Sequence, residues 1–311
     1  MNDIILSRIA EALTWTGRYV ERADATARIL DAYLHRLLED PWRDEDAACR
    51  SLYAILGLSA PGDQPCDMDQ VMDALAFDAR SPGSIEGALG AARANARSAR
   101  EAISSDMWQC LNSTWHALGE QRRAARRTGP YAYLDLVRRR AALFAGLTDS
   151  TMSRDDSWRF MVLGRSLERV DMTVRLLAVR VLDAAHAPDW PTLLSASGAD
   201  EAFARVYGGF GDTARVAEFL LLDRDFPRSA LHALTTAEDC LTELGRPRHD
   251  PARRPIGRMR TRLEYLDSGS LEEALPLLLR DLQQACMASA EAVAERFFPY
   301  QGAMAWAQEG A

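Results

Sequence analysis

Gly17-Arg18-Tyr19-Val20-Glu21-Arg22-Ala23-Asp24-Ala25-Thr26-Ala27-Arg28-Ile29-Leu30 decides how this chain is read, because 147 positions later nearly the same run recurs as Gly164-Arg165-Ser166-Leu167-Glu168-Arg169-Val170-Asp171-Met172-Thr173-Val174-Arg175-Leu176-Leu177. Both copies obey G-R-x-x-E-R-x-D-x-T-x-R-x-L. Solenoid repeats are far shorter, about 20–50 residues, so this period marks a duplicated unit. The expectation is one all-α domain over 1–311, a helical bundle of two halves, about 1–147 and 148–311, related by a pseudo-two-fold axis and each led by a long helix.

Around the first copy, Ile9, Leu13, Thr16, Val20, Ala23, Ala27, Leu30, Leu34 and Leu37 recur at alternating steps of 4 and 3. That is the seam of a helix packed along its length. It predicts one helix from about Ile4 to Glu39, stopped by Pro41. Phe160, Leu163, Leu167, Val170, Val174, Leu177 and Val181 repeat the seam in a second long helix, started at Ser153 with Asp155 and Asp156 in its first turn and ended by Pro188.

The intervening chain reads as shorter helices. They fall near Ala47 to Leu58, Met68 to Phe77, Tyr131 to Leu147, Ala199 to Val206 and Thr213 to Leu222, and a helix-prone, Ala- and Arg-rich stretch runs from Ile85 to about Arg127. Gly245 to Gly257 reads as an exposed loop, and Ser270-Leu271-Glu272-Glu273 as a capping box opening the last helix, through Glu295. A second internal match aligns Leu75 to Leu89 with Leu220 to Leu234 at an offset of 145, sharing Asp78/Asp223, Pro82/Pro227 and Ser84/Ser229. No alternating segment of convincing length argues for a strand.

Of 311 residues, 48% are hydrophobic and 26% charged, an ordinary balance for a globular protein. All 37 basic residues are Arg, so every side-chain cation other than a protonated His is a planar fork suited to carboxylates and phosphates. A formal net charge of −8 argues against a general nucleic-acid binder. Cys49, Cys66, Cys110, Cys240 and Cys286 are scattered without metal-ligand spacing, which reads as reduced thiols. With no signal-like start and no run of about 18 apolar residues, a cytoplasmic protein without a membrane partner is expected.

On a helical wheel Gly17, Glu21, Asp24 and Arg28 form one stripe and Arg18, Arg22, Ala25 and Ile29 another. The second copy reproduces both, with Gly164, Glu168, Asp171 and Arg175, and with Arg165, Arg169, Met172 and Leu176. Glycine costs a helix interior about 1 kcal/mol relative to alanine, so its recurrence points to the close approach of another backbone. The charges read either as a solvated face, with i,i+4 pairs of about 0.2–0.5 kcal/mol each, or as a half-buried ion network between the long helices. The network is preferred, because each charge persists while neighbours changed. A ligand-binding role for the same arginines stays open beside it.

A second cluster is Arg93, Asn95, Arg97, Arg100 and Glu101, followed by Asp106, Trp108 and Asn112. Its three arginines, at steps of 4 and 3, suit either a solvated face or a site for a carboxylate, a phosphate or an acidic partner. Arg122, Arg123, Arg126 and Arg127, and Arg138 to Arg140, read as plain surface charge. Enzyme signatures do not assemble. Asp183-x-x-His186 is not the Glu-x-x-His of a di-iron bundle, Asp155-Asp156 leads to Arg159, and there is no P-loop, G-x-S-x-G or H-E-x-x-H. No metal and no cofactor is expected. His35, His116, His186, His232 and His249 are dispersed, and the aromatic stretch Phe297 to Trp306 reads as a tail folded back on the core or docked to another subunit.

Leu6-Ser7-Arg8-Ile9-Ala10-Glu11 and Trp15-Thr16-Gly17-Arg18-Tyr19-Val20-Glu21-Arg22-Ala23 resemble the bacterial alpha-E family, named for an all-helical domain with a Glu-Arg motif. The resemblance continues through Ala92 to Arg97, Arg100-Glu101, Trp108 and Asn112, and through Trp158-Arg159-Phe160, Gly164-Arg165, Glu168-Arg169 and Phe226-Pro227-Arg228-Ser229. It departs at Asp106, where the family pattern leads one to expect Glu.

The resemblance implies a partner of circularly permuted ATP-grasp amide-bond ligases and of transglutaminase-like peptidases. The chain is accordingly expected to be an accessory subunit of a bacterial peptide-forming system, binding or supporting the ligase or its peptide substrate. An enzyme acting on a carboxylated substrate through Glu21 or Glu168 is the alternative, and a homo-oligomer built through the aromatic tail a third reading.

Overall fold

A computed structural model describes residues 7–40, 42–62, 64–182, 188–209, 213–245 and 250–298. Ile4, Leu6 and Pro41, named above at the first helix, lie outside them, as do Asp183, His186, His249, Pro299, Tyr300, Met304 and Trp306. Among the described residues the protein is all-helical, without a strand. The helices are α1 (Ser7–Glu39), α2 (Glu45–Ile55), α3 (Met68–Met72, continued by a π-helical turn Asp73–Phe77), α4 (Ile85–Ser98), α5 (Ser105–Thr128) and α6 (Tyr131–Thr151). There follow α7 (Asp156–Leu182), α8 (Trp190–Ser197), α9 (Asp200–Tyr207), α10 (Thr213–Leu222), α11 (Ala230–Leu244), α12 (Arg253–Glu264) and α13 (Leu271–Phe297).

The two seams form the core. Ile9, Leu13, Thr16, Val20, Ala23, Ala27 and Leu30 of α1 are buried, as are Phe160, Leu163, Leu167, Val170, Val174 and Leu177 of α7. Each fully buried Leu or Val contributes about 1.5–3 kcal/mol relative to exposure, so these stripes fix which faces meet. α1 and α7 form the most extensive helix contact; α4 then packs on α1 and α11 on α7. Gly17 and Gly164 sit where the long helices come closest. A methyl group on Gly17 would overlap the carbonyl oxygen of Met161, and one on Gly164 the carbonyl oxygen of Thr14.

The second internal match corresponds to the turns that launch α4 and α11. Ser84 Oγ accepts from Gly87 N (3.0 Å) and donates to the Asp78 carbonyl (2.6 Å). Ser229 Oγ accepts from His232 N (3.1 Å) and donates to the Asp223 carbonyl. Each serine thereby satisfies a free donor at its helix N-terminus and closes the preceding turn.

Several boundaries differ from the expectation; α2 spans Glu45–Ile55 rather than Ala47 to Leu58, and α6 runs on to Thr151 past Leu147. The stretch from Ile85 to Arg127 is broken after Ser98, because Ser104 caps a new helix by accepting from Met107 N (3.2 Å). α7 starts at Asp156 rather than Ser153, and Asp155 Oδ1 receives Trp158 N (3.2 Å). Ser270 stands at the start of α13 without a capping bond; its hydroxyl donates to the Asp267 carbonyl (2.8 Å), since a 3-10 turn at Ser268–Ser270 already holds it in helical conformation. The loop expected over Gly245 to Gly257 becomes α12 at Arg253, with Ala252 and Ile256 buried. At the C-terminal end Phe297 and Phe298 fold onto Phe160, with ring centroids 5.1 and 6.3 Å away.

Candidate functional site

The glycine contact brings the repeated acids of one long helix onto the arginines of the other. Arg169 of α7 donates through Nε and Nη2 to Glu21 of α1, at 2.8 and 2.7 Å. Reciprocally, Arg22 and Arg18 of α1 donate through Nε to Glu168 of α7, at 2.5 and 2.8 Å. Glu21 is 5% exposed and Glu168 1%. The forks are anchored at their outer ends as well, Arg22 on the Pro82 carbonyl (3.3 Å) and Arg169 on the Pro227 carbonyl (3.1 Å).

The second guanidinium at each acid comes from a different place. At Glu168 it is Arg18, from the same helix as Arg22; at Glu21 it is Arg228, which precedes α11 and bonds Glu21 Oε1 (3.1 Å) and Asp24 Oδ2 together. The position matching Arg228 in the second internal match is Gly83, so the Glu168 end has no such residue. Arg165, which stands in its copy where Arg18 stands in the first, reaches only Asp149, at 3.5 Å, among the described residues. Arg18 also lies over the Trp15 ring (4.9 Å) and Arg22 over Tyr19 (5.4 Å). Ser166 in place of Tyr19 gives the Glu21 end no counterpart to the second of these.

These contacts set the charge states. Burial pushes the Glu21 carboxyl up, but the charges of Arg169 and Arg228 outweigh it and bring its pKa down to about 2. At Glu168 burial is likewise overcome, by Arg22 and Arg18, and the pKa is lowered. Asp24 and Arg28 pair within α1 (3.0 Å), as do Asp171 and Arg175 within α7 (2.7 Å). Both Arg28 and Arg228 converge on Asp24 Oδ2, which leaves the buried Oδ1 without a partner among the described residues. Beside Glu21 a cavity of about 50 Å3 opens between α1, α6 and α7.

The second cluster does not form one face. Arg93 donates to Asn112 Oδ1 (2.9 Å), while Arg100 lies beyond the end of α4 and donates to the Ile103 carbonyl (3.3 Å) and Ser105 Oγ (3.2 Å). Both flank the Trp108 ring, at 5.7 and 6.0 Å, whereas Arg97 is exposed. Asn95 accepts from Ser98 Oγ through its backbone carbonyl (2.8 Å), and Glu101 is exposed with Arg8 at 4.0 Å.

Three arginines read as plain surface charge are ties between elements, among them Arg126 of α5, which donates to Asp73 at 2.6 Å. Arg122 donates to the buried Glu86 (3.0 Å), and Arg138 of α6 bonds Asp31 of α1. Their signal was hidden in arginine runs, in which nothing local distinguishes the paired residue.

A family model for Alpha-E, described as a predicted alpha-helical domain with a conserved ER motif, matches residues 5–298. The chain belongs to the Alpha-E family. Glu21-Arg22 and Glu168-Arg169 are the two Glu-Arg pairs of the repeated motif, and each pair spans the helix contact. An uncharacterized protein of Mycobacterium bovis is 27% identical over 295 residues, covering 86% of this chain and 33% of the relative. Uncharacterized proteins of two Mycobacterium tuberculosis strains match over the same length at 27% and 26% identity, again covering 86% of this chain and 33% of theirs. The Alpha-E chain thus spans about a third of the length of the curated relatives it matches. No solved structure matches it. Among the described residues no helix is long and apolar enough to cross a membrane.

Proposed function

We propose that this Alpha-E chain is a non-catalytic accessory subunit of a bacterial peptide- or amide-bond-forming system, supporting an ATP-grasp-type ligase or presenting its peptide substrate. The observation that carries the non-catalytic reading is that both motif glutamates are closed in two-arginine ion pairs. A general acid or base working near neutrality needs a carboxyl pKa raised toward the working pH. Both glutamates are shifted the other way. The motif then acts as a lock on the scaffold, and its partner does the chemistry.

The ligase, with a transglutaminase-like peptidase as a further partner, follows from what the family resemblance implies. In the mycobacterial relatives the matched region is joined to about twice its own length of further chain, as suits a domain that works beside others. The reciprocal Glu-Arg contacts and the twin serine caps also favour descent from a doubled gene, with halves related by a pseudo-two-fold axis. Co-expression with the ATP-grasp ligase of the same organism tests the functional reading. A complex that co-purifies and alters ligase turnover is expected; no complex together with unchanged turnover contradicts it.

A further inference from the structure

The two ends of the ion lock are unequal. Glu168 is met by Arg18 and Arg22, whereas Glu21 is met by Arg169 and Arg228, so Arg165 is released from the role that Arg18 fills in the other copy. Arg165 therefore faces the cavity beside Glu21 without an ion pair to either of the cavity's acids, and Arg28 lines it from its pair with Asp24. Four arginines line it, Arg28, Arg165, Arg169 and Arg228, against the two carboxylates of Glu21 and Asp24. The acid that reaches Arg165 from outside, Asp149, is half-exposed and 3.5 Å away.

At Arg28 the dominant effect is burial. Burial and the nearby Arg228 and Arg138 pull its guanidinium below the ordinary arginine range, despite the pair with Asp24. A half-enclosed space with more guanidinium than carboxylate favours an anion, and Arg holds one best through parallel hydrogen bonds from its planar fork.

Size and wall chemistry narrow the class. A water needs about 10–15 Å3 of such space, so the cavity, about 50 Å3, admits a group of only a few heavy atoms. The rest of its wall includes Val20, Ala141, Ala145 and Met161. A phosphate would turn unpaired oxygens toward that wall, at the cost of desolvating them. A carboxylate confines its charge to one edge and leaves carbon for the apolar side. We propose that this cavity binds a small carboxylate, either the C-terminus of a peptide ending in a small residue or a free short-chain acid, held by Arg165 and Arg28. The site requires no ligase, so the chain alone suffices to test it.

Isothermal titration of the full chain with N-acetyl-L-alanine, acetate and inorganic phosphate addresses the class. Saturable one-to-one binding of N-acetyl-L-alanine is expected at a Kd of about 1 mM or below, with phosphate at least about tenfold weaker because its remaining oxygens would be desolvated against the apolar wall. Acetate matching N-acetyl-L-alanine assigns the site to free acids, and acetate much weaker assigns it to peptide termini; both keep the carboxylate. Arg165→Gln should weaken binding about tenfold or more, as should Ala145→Leu, which fills the cavity from α6 and leaves the ion lock intact. Thermal melting of both variants establishes that each is folded. No saturation by about 10 mM of either carboxylate, phosphate binding as tightly, or unchanged affinity in a folded Arg165→Gln or Ala145→Leu protein overturns the assignment.

Discussion

Arg169 of α7 holds Glu21 of α1 in a two-pronged grip, Nε on Oε1 at 2.8 Å and Nη2 on Oε2 at 2.7 Å, and the glutamate is 5% exposed. Two parallel bonds to a desolvated carboxylate make a strong and geometrically strict contact. With the reciprocal grip of Arg22 and Arg18 on Glu168, it fixes both the separation of the long helices and their register. Taking these charges out of water is costly, and keeping them paired offsets the cost.

Acid should loosen this lock. The pKa of Glu21 in the folded chain, about 2, lies below its ordinary value of 4.5. Its ionised form thus stabilises the fold fully above about pH 4.5, by roughly 3 kcal/mol, and that contribution is lost as pH falls toward about 2. Glu168, also lowered, acts in the same direction. Urea unfolding measured from pH 7 to pH 3 should give a falling stability whose slope flattens in Glu21→Gln. Equal acid slopes for the two proteins would count against the lock.

The glycines should resist even a methyl group. Alanine is the better helix former by about 1 kcal/mol, yet its Cβ at Gly17 or Gly164 would overlap a backbone carbonyl of the facing helix. Backbone cannot swing aside as a side-chain tip can, and overpacking of this kind costs about 1–3 kcal/mol or more. Gly17→Ala and Gly164→Ala should each lower the denaturation midpoint, whereas Gly119→Ala, with open space around it, should not. Neutral or raised midpoints at the first two positions would remove the close approach from the account.

The thiols should be silent in the native protein. Cys49, Cys66, Cys110, Cys240 and Cys286 are all free and buried. Burial pushes Cys240 and Cys286 up to about 12 and raises the others as well. Since the thiolate is the reactive form, an aromatic disulfide reagent at pH 8 should label none of them in the folded chain and all of them in guanidinium. Prompt labelling of the folded chain would contradict this.

The seams of α1 and α7 were readable in the sequence, because a stripe at steps of 4 and 3 has one burial solution, and the repeated glycines pointed correctly to a close contact. The repeated charges likewise pointed to a network. The wheel could pair Asp24 only with Arg28 of its own helix; that Glu21 answers to Arg169 and Arg228 depends on how helices far apart in sequence cross. The break at Ser104 was masked by strong helix propensity on either side of a capping serine. Ser270 shows the converse, a sequence with the form of a capping box whose hydroxyl is occupied by the preceding turn. The apolar wall supplied by α6 carried no local signal, since Ala141 and Ala145 look like any helix surface until the helix is packed.

A double-mutant cycle at Glu21 and Arg169 tests the central claim, that the motif locks the two long helices together, most directly. Denaturant unfolding of the parent chain, Glu21→Ala, Arg169→Ala and the double variant gives the coupling without its being confounded by either residue's other contacts. Loss of one partner strands a buried charge, so Glu21→Ala should cost about 3–5 kcal/mol, with a coupling of about 1.5–3 kcal/mol between the pair. A single-variant loss within about 0.5 kcal/mol, with no measurable coupling, would mean that these side chains face water and that no lock exists.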